Sequence, residues 1–202
     1  MVTKAIMVDV DGVLVHGRPE DGRHWSTSLE ADLGISAEDL HWEFFAVHWG
    51  DIIIGRAMLT DRLPLALQMI APHLTVDQLI NYWFTKDTRL DEKLLRDLMQ
   101  LRSSGFQLHL ATNQEHLRAK YLLDELGLAK HFDSIQYSAQ IGAKKPELEF
   151  FRAAALRTSL SPDEILLIDD VAENIEAAKE AGWRAVLWTA EKPIYEIIKD
   201  LV

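Results

Sequence analysis

The chain has 202 residues, with 32 acidic side chains against 21 basic ones, a formal net charge of −11, 48% apolar and 26% charged residues. That composition predicts a soluble globular chain of one domain with room for a modest subdomain, and its acidity speaks against nucleic acid or an anionic membrane surface as partner. There is no cysteine, which excludes disulfides, thiolate zinc sites and a cysteine nucleophile, and fits a reducing, cytoplasmic setting.

In chain order, the first apolar run, Lys4–Val10, reads as a strand. Asp9 and Asp11 interrupt it and no small-residue cleavage pattern follows, so it does not read as a leader. No run reaches the length of a transmembrane helix. From His16 to Thr85 helical signals dominate: capping-box patterns at Ser36–Asp39 and Thr75–Gln78, and an amphipathic stretch from Arg56 to Ile70. Trp42, Phe45 and Trp49 follow i, i+3, i+7 spacing, which predicts a buried helix face. Beyond this span come a helix over Leu90–Ser104, a strand over Phe106–Thr112, and a helix over Glu115–Leu126 closed by Gly127. Further strands are expected at Ser134–Ser138, Ile165–Asp169 and Arg184–Thr189, with a short helical turn at Pro162 leading into the second of these. Strands alternating with helices predict a doubly wound, Rossmann-like α/β parallel sheet. Its core comprises residues 1–15 and 86–202, and residues 16–85 form an α-helical cap inserted after the first strand.

In such folds ligands bind beyond the carboxyl ends of the strands, and the polar residues of this chain gather there. The first strand ends in Asp9-Val10-Asp11-Gly12, and period-two alternation allows both carboxylates to face one side. The second ends in Ala111-Thr112-Asn113, the fourth in Asp169-Asp170, and Gly142-Ala143-Lys144-Lys145-Pro146 precedes a helix whose first turn the proline marks. Several carboxylates around one point, without cysteine or clustered histidine, suit a hard cation such as Mg²⁺. A hydroxyl and a lysine across from it would hold phosphoryl oxygens. No glycine-rich phosphate loop occurs. The histidines show no metal-binding spacing, and His116 reads as a surface helix residue.

These four elements, in this order and over the whole chain, resemble the haloacid dehalogenase-like (HAD) hydrolase superfamily. Its first motif is matched by Ile6-Met7-Val8-Asp9-Val10-Asp11-Gly12-Val13-Leu14, with Val13 where Thr is common. Its second is matched by Leu110-Ala111-Thr112-Asn113, its GxxKP motif by Gly142–Pro146, and its acidic pair by Asp169-Asp170 with Asn174. The GxxKP match selects Lys145 over Lys144.

The resemblance implies a Mg²⁺-dependent phosphatase acting on a small phosphate ester, such as a sugar phosphate. Asp9 would be the nucleophile and Asp11 the acid and base. The Asp9 carboxylate, the Asp11 main-chain carbonyl and Asp170 would hold the metal. Thr112, the backbone at Asn113 and Lys145 would bind the phosphoryl group, with Asp169 and Asn174 supporting that shell. Beyond the first motif, Arg18 and Arg23 would help reverse the acidic field for an anionic substrate. A metal-independent haloacid dehalogenase is the second reading; Asp11 and the acidic pair speak against it. A phosphomutase uses the same intermediate. A degenerate binding module would have lost a motif, and none is missing.

Overall fold

The computed structural model describes residues 3–199. Five apolar runs form parallel strands, β1 (Ala5–Val8), β2 (Gln107–Thr112), β3 (Ser134–Tyr137), β4 (Ile165–Asp169) and β5 (Arg184–Leu187), in the order β3-β2-β1-β4-β5. Between β1 and β2 lie α1 (Leu29–Leu33), α2 (Ala37–Leu40), α3 (Ala46–Ile52), α4 (Leu59–Ile70), α5 (Val76–Lys86) and α6 (Glu92–Ser103). Then follow α7 (His116–Asp124), α8 (Ser138–Ile141), α9 (Leu148–Thr158), α10 (Ala172–Glu180) and α11 (Ile194–Ile198).

Both faces of the sheet are covered, as a parallel sheet requires. Ile6, Val8, Leu108, Leu110, Leu166 and Ile168 share one buried cluster with Leu94 and Leu98 of α6 and Leu122 of α7. Met7, Ile165 and Leu167, one residue out of phase, meet Phe150 and Phe151 of α9 and Ile175 and Ala178 of α10 on the opposite face. The chain leaves β1 for β2 and β3 on one side, then returns past it to β4 and β5 on the other. Connections therefore diverge at the carboxyl end of β1, level with Leu110 and Ile168, and that divergence opens a crevice there.

β1 is shorter than expected: it stops at Val8, so Asp9 and Asp11 lie in the following loop rather than on one strand face. The reason is visible at Val10, whose carbonyl accepts from the amides of Leu14 and Val15 at 2.8 Å each and so closes a tight turn. β5 likewise stops at Leu187, although the Trp188 amide still donates to Asp169 O at 2.8 Å. Helix α9 starts at Leu148, two residues beyond Pro146.

α1 to α5 enclose an apolar cluster of their own, which includes Trp25, Phe44, Leu63, Leu67, Trp83 and Phe84. Thr75 and Gln78 form the expected reciprocal cap of α5. Ser36 caps α2 through its hydroxyl, with Asp39 contributing only its amide. The expected buried face of Trp42, Phe45 and Trp49 is not formed, because residues His41–Phe45 make a π turn. One extra residue per turn shifts the helical phase, leaving Trp42 61% exposed while Phe45 and Trp49 stay half-buried.

The helical unit touches the sheet unit closely at Gly55. Its φ is +74°, and a Cβ there would lie 2.2 Å from the Ala139 carbonyl oxygen. Gly50, inside α3, has open space around it. Gly55→Ala should therefore cost more than about 1 kcal/mol in urea unfolding, through strain and overlap. Gly50→Ala should instead add about 0.5–1 kcal/mol. Equal effects would contradict this packing.

Candidate active site

Three buried groups meet where β1, β2 and β4 end. The Lys145 ammonium donates to Ala111 O at 2.8 Å and to Asp169 Oδ2 at 2.5 Å, and lies 2.9 Å from Asp9 Oδ1. An ammonium has three donors, so all of them are engaged by the protein. Burial by itself would lower the Lys145 pKa; the two facing carboxylates outweigh it and hold the ammonium above its usual value. Asp9 is held above the usual carboxylate value as well: burial raises its pKa, and Lys145 beside it offsets only part of that rise.

Asp169 is fully buried and its oxygens are all occupied. Oδ1 accepts from Val171 N at 2.9 Å and Asn174 Nδ2 at 2.9 Å, and Oδ2 from Asn174 at 3.1 Å as well as from Lys145. Asp169 and Asn174 thus brace the loop that carries Asp170, which is exposed. Oxygen atoms of Asp9, Asp169 and Asp170 lie within 4.8 Å of one another. Gly12 lets the first loop close onto this point: with φ +85°, any Cβ would fall 2.1 Å from Asp170 Oδ2. Three carboxylates face a single lysine, a surplus of acidic over basic groups. Hard oxygen donors and that surplus fit a divalent cation such as Mg²⁺, with Asp9 and Asp170 offering the less encumbered oxygens.

Asp11 is not part of this trio. Its Oδ2 accepts from Gln114 Nε2 at 2.5 Å, and Gln114 is itself within 3.4 Å of the buried Thr112 hydroxyl. Asp11 is exposed and lines both cavities between the two units, ringed by protein groups. Loss of bulk water there pushes its pKa up to about 7, against the lowering influence of Arg118. The Asn113 side chain is committed elsewhere: Nδ2 donates to Lys145 O at 3.0 Å and Oδ1 accepts from Lys145 N at 2.8 Å. It ties the loop after β2 to the loop before α9.

Two adjoining cavities share Asp11, Trp49, Trp83 and Asp87. The smaller, about 270 Å³, is lined by Asn113, Gln114, Arg118 and Lys144; the larger, about 650 Å³, by residues of the helical unit including Trp25 and Phe45. An open groove of about 830 Å³ beside β3 and α7 holds none of Asp9, Asp11, Asp169 and Asp170. His116 belongs to that groove, where it meets the Tyr137 hydroxyl at 3.2 Å.

Gln114 and Arg118 are the residues that sequence reasoning missed. Arg118 is buried under Phe84 and Tyr121, donates to Phe84 O at 3.1 Å and pairs with Asp87 at 3.3 Å. It links α7 to the end of α5. Arg18 and Arg23 share one partner, Asp21, at 2.5 and 3.7 Å, and neither lines the two cavities.

The model of the haloacid dehalogenase-like hydrolase family matches residues 3–182. A phosphorylated carbohydrates phosphatase of Thermotoga maritima is 24% identical over 186 residues, covering 89% of this chain and 82% of that protein. A phosphoglycolate phosphatase of Salmonella typhi is 26% identical over 206 residues, covering 91% and 80%. Among solved structures, a HAD family enzyme of Bacteroides thetaiotaomicron, in complex with magnesium and inorganic phosphate, shares the fold with a TM-score of 0.79 and 18% identity. It covers 96% of this chain and 98% of its own.

The buried charge cluster gives a direct test. Lys145→Met leaves two carboxylates facing each other and should cost about 3–5 kcal/mol in urea unfolding without added metal. Lys144→Met, one residue away, should cost no more than about 1 kcal/mol. Similar costs for the two would contradict the geometry.

Proposed function

The chain belongs to the haloacid dehalogenase-like hydrolases, and on that footing we propose that it hydrolyses small phosphate monoesters through a phosphorylated Asp9. The observation that carries this reading is the placing of two carboxylates with different tasks at one crevice. Asp9 sits in the buried charge cluster, and Asp11 stands apart from it where the two cavities meet. The phosphoryl group would lie beside Asp9, against Thr112, the backbone at Asn113 and Lys145, next to the smaller cavity that Asn113 and Lys144 line, with the ester's organic part in the larger.

A carboxylate oxygen of Asp9 attacks phosphorus as the ester P–O bond breaks, and Asp11 gives its proton to the departing oxygen. Asp11, now a carboxylate, takes a proton from water, whose oxygen attacks phosphorus. The P–O bond to Asp9 then breaks, releasing phosphate and restoring both side chains. Gln114 holds Asp11 in line, and its pKa of about 7 suits a group that must both give and accept a proton. Lys145 fixes the attacking carboxylate in place and keeps it from being repelled by Asp169. Asp9, Asp170 and the Asp11 main-chain carbonyl would hold Mg²⁺, which when bound supplies positive charge against the phosphoryl oxygens. Residues 16–85 act as a cap that excludes bulk water, over a core of residues 1–15 and 86–202. No helix among the described residues is long and apolar enough to cross a membrane, and the cysteine-free chain supports a cytoplasmic setting.

Hydrolysis of 4-nitrophenyl phosphate is expected with Mg²⁺ and not with a chelator. Asp9→Asn should lower kcat by at least about 10³-fold, and Asp11→Asn by about 10²–10⁴-fold. Activity that survives both chelation and Asp9→Asn contradicts the mechanism.

A further inference from the structure

From the wall of the larger cavity we infer that the preferred substrates are phosphate monoesters whose organic part carries a flat aromatic ring and no second anionic group. This inference rests on the phosphatase reading and adds to it the identity of the leaving group. Four aromatic side chains of the helical unit meet there. Trp25 and Trp83 stack at 5.2 Å with an interplanar angle of 23°. Phe45 and Trp49 stand edge-on or tilted against Trp83 at 5.5 and 5.6 Å, and against each other at 5.4 Å. Trp25 and Trp83 are almost wholly buried and form the fixed backing of the wall. Phe45 and Trp49 are only half-buried, and both line the cavity.

The π turn is what makes this surface. By ending at Phe45 it turns Trp42 out to solvent and leaves Phe45 and Trp49 facing inward. Half-exposed aromatic surface in a concave site is covered most favourably by another flat apolar group, in stacked or edge-on contact. His24 and His41, at the same wall, add two further planar side chains.

Size and charge point the same way. A volume of about 650 Å³ is far more than a two- or three-carbon leaving group fills. No lysine or arginine is among the residues lining this cavity, where His16, His24 and His41 are the basic side chains, so a carboxylate or second phosphate on the organic part would enter without a permanently charged partner, at a desolvation cost. The acidic groups there, Asp11 and Asp87, disfavour it further.

The test compares esters whose leaving groups are all primary alkoxides, so that leaving-group chemistry does not set the ranking. The probes are 2-(2-naphthyl)ethyl phosphate, glycerol 1-phosphate and phosphoglycolate. For the wild-type enzyme with Mg²⁺, kcat/KM for the naphthyl ester should exceed that for glycerol 1-phosphate by about tenfold or more, with phosphoglycolate poorest. Trp49→Leu should lower the naphthyl-to-glycerol ratio by about tenfold, and Trp49→Phe should largely retain it. A merely structural role for Trp49 would lower both rates in proportion and leave the ratio unmoved. Turnover of glycerol 1-phosphate without a ring preference, or an unmoved ratio in Trp49→Leu, overturns this inference alone. Turnover of none of the three overturns the phosphatase reading, and this inference with it.

Discussion

The Lys145 ammonium is the fixed point of this molecule. Its three donors reach the Ala111 carbonyl of β2, Asp169 of β4 and Asp9 just past β1. One side chain thereby pins the carboxyl ends of three adjacent strands to the loop that precedes α9. A lone buried ammonium would be costly, and so would two facing buried carboxylates; each is tolerable only in the presence of the other. The arrangement still carries excess negative charge, and Asp170 adds to it at the solvent-facing rim. Structural cohesion and appetite for a hard cation are therefore two consequences of one charge pattern.

Around that point the polar side chains divide into those that hold and those free to act. Asn113, Asn174 and Asp169 spend their hydrogen-bonding capacity on neighbouring loops. Asp11, held by Gln114, stands at the junction of the cavities. The helical unit completes the arrangement from the far side, through Gly55 against Ala139 and through Arg118 between α7 and α5. Arg18 and Arg23 line neither cavity, and Lys144 and Arg118 are the cationic side chains that line the smaller one.

Much of this was legible in the residues. The strands betray themselves as short β-rich runs whose polar residues fall at their carboxyl ends, and the motif order puts Asp9, Thr112 and Asp169 at strand ends with Lys145 just before a helix. Three things were hidden, each for a physical reason. The turn around the Val10 carbonyl removes Asp9 and Asp11 from strand alternation, so a period-two argument could not place them. The π turn alters helical phase without any residue that marks it, so the i, i+3, i+7 spacing wrongly counts Trp42 on a buried face. Gln114 and Arg118 gain their meaning from partners far away in sequence: Gln114 from Asp11, 103 residues off, and Arg118 from Phe84 and Asp87. In isolation, Arg118 on an amphipathic helix looks like a solvated charge.

The account turns on Asp9, and not Asp11, being the carboxylate that attacks. The most direct measurement is acid quench of the enzyme during turnover, reduction with borohydride and mass spectrometry of the peptide spanning both residues. An aspartyl-phosphate at Asp9 is reduced to homoserine at position 9, and that is the predicted product. Homoserine at position 11, or an unmodified peptide under conditions of steady turnover, would contradict the division of roles built around Lys145.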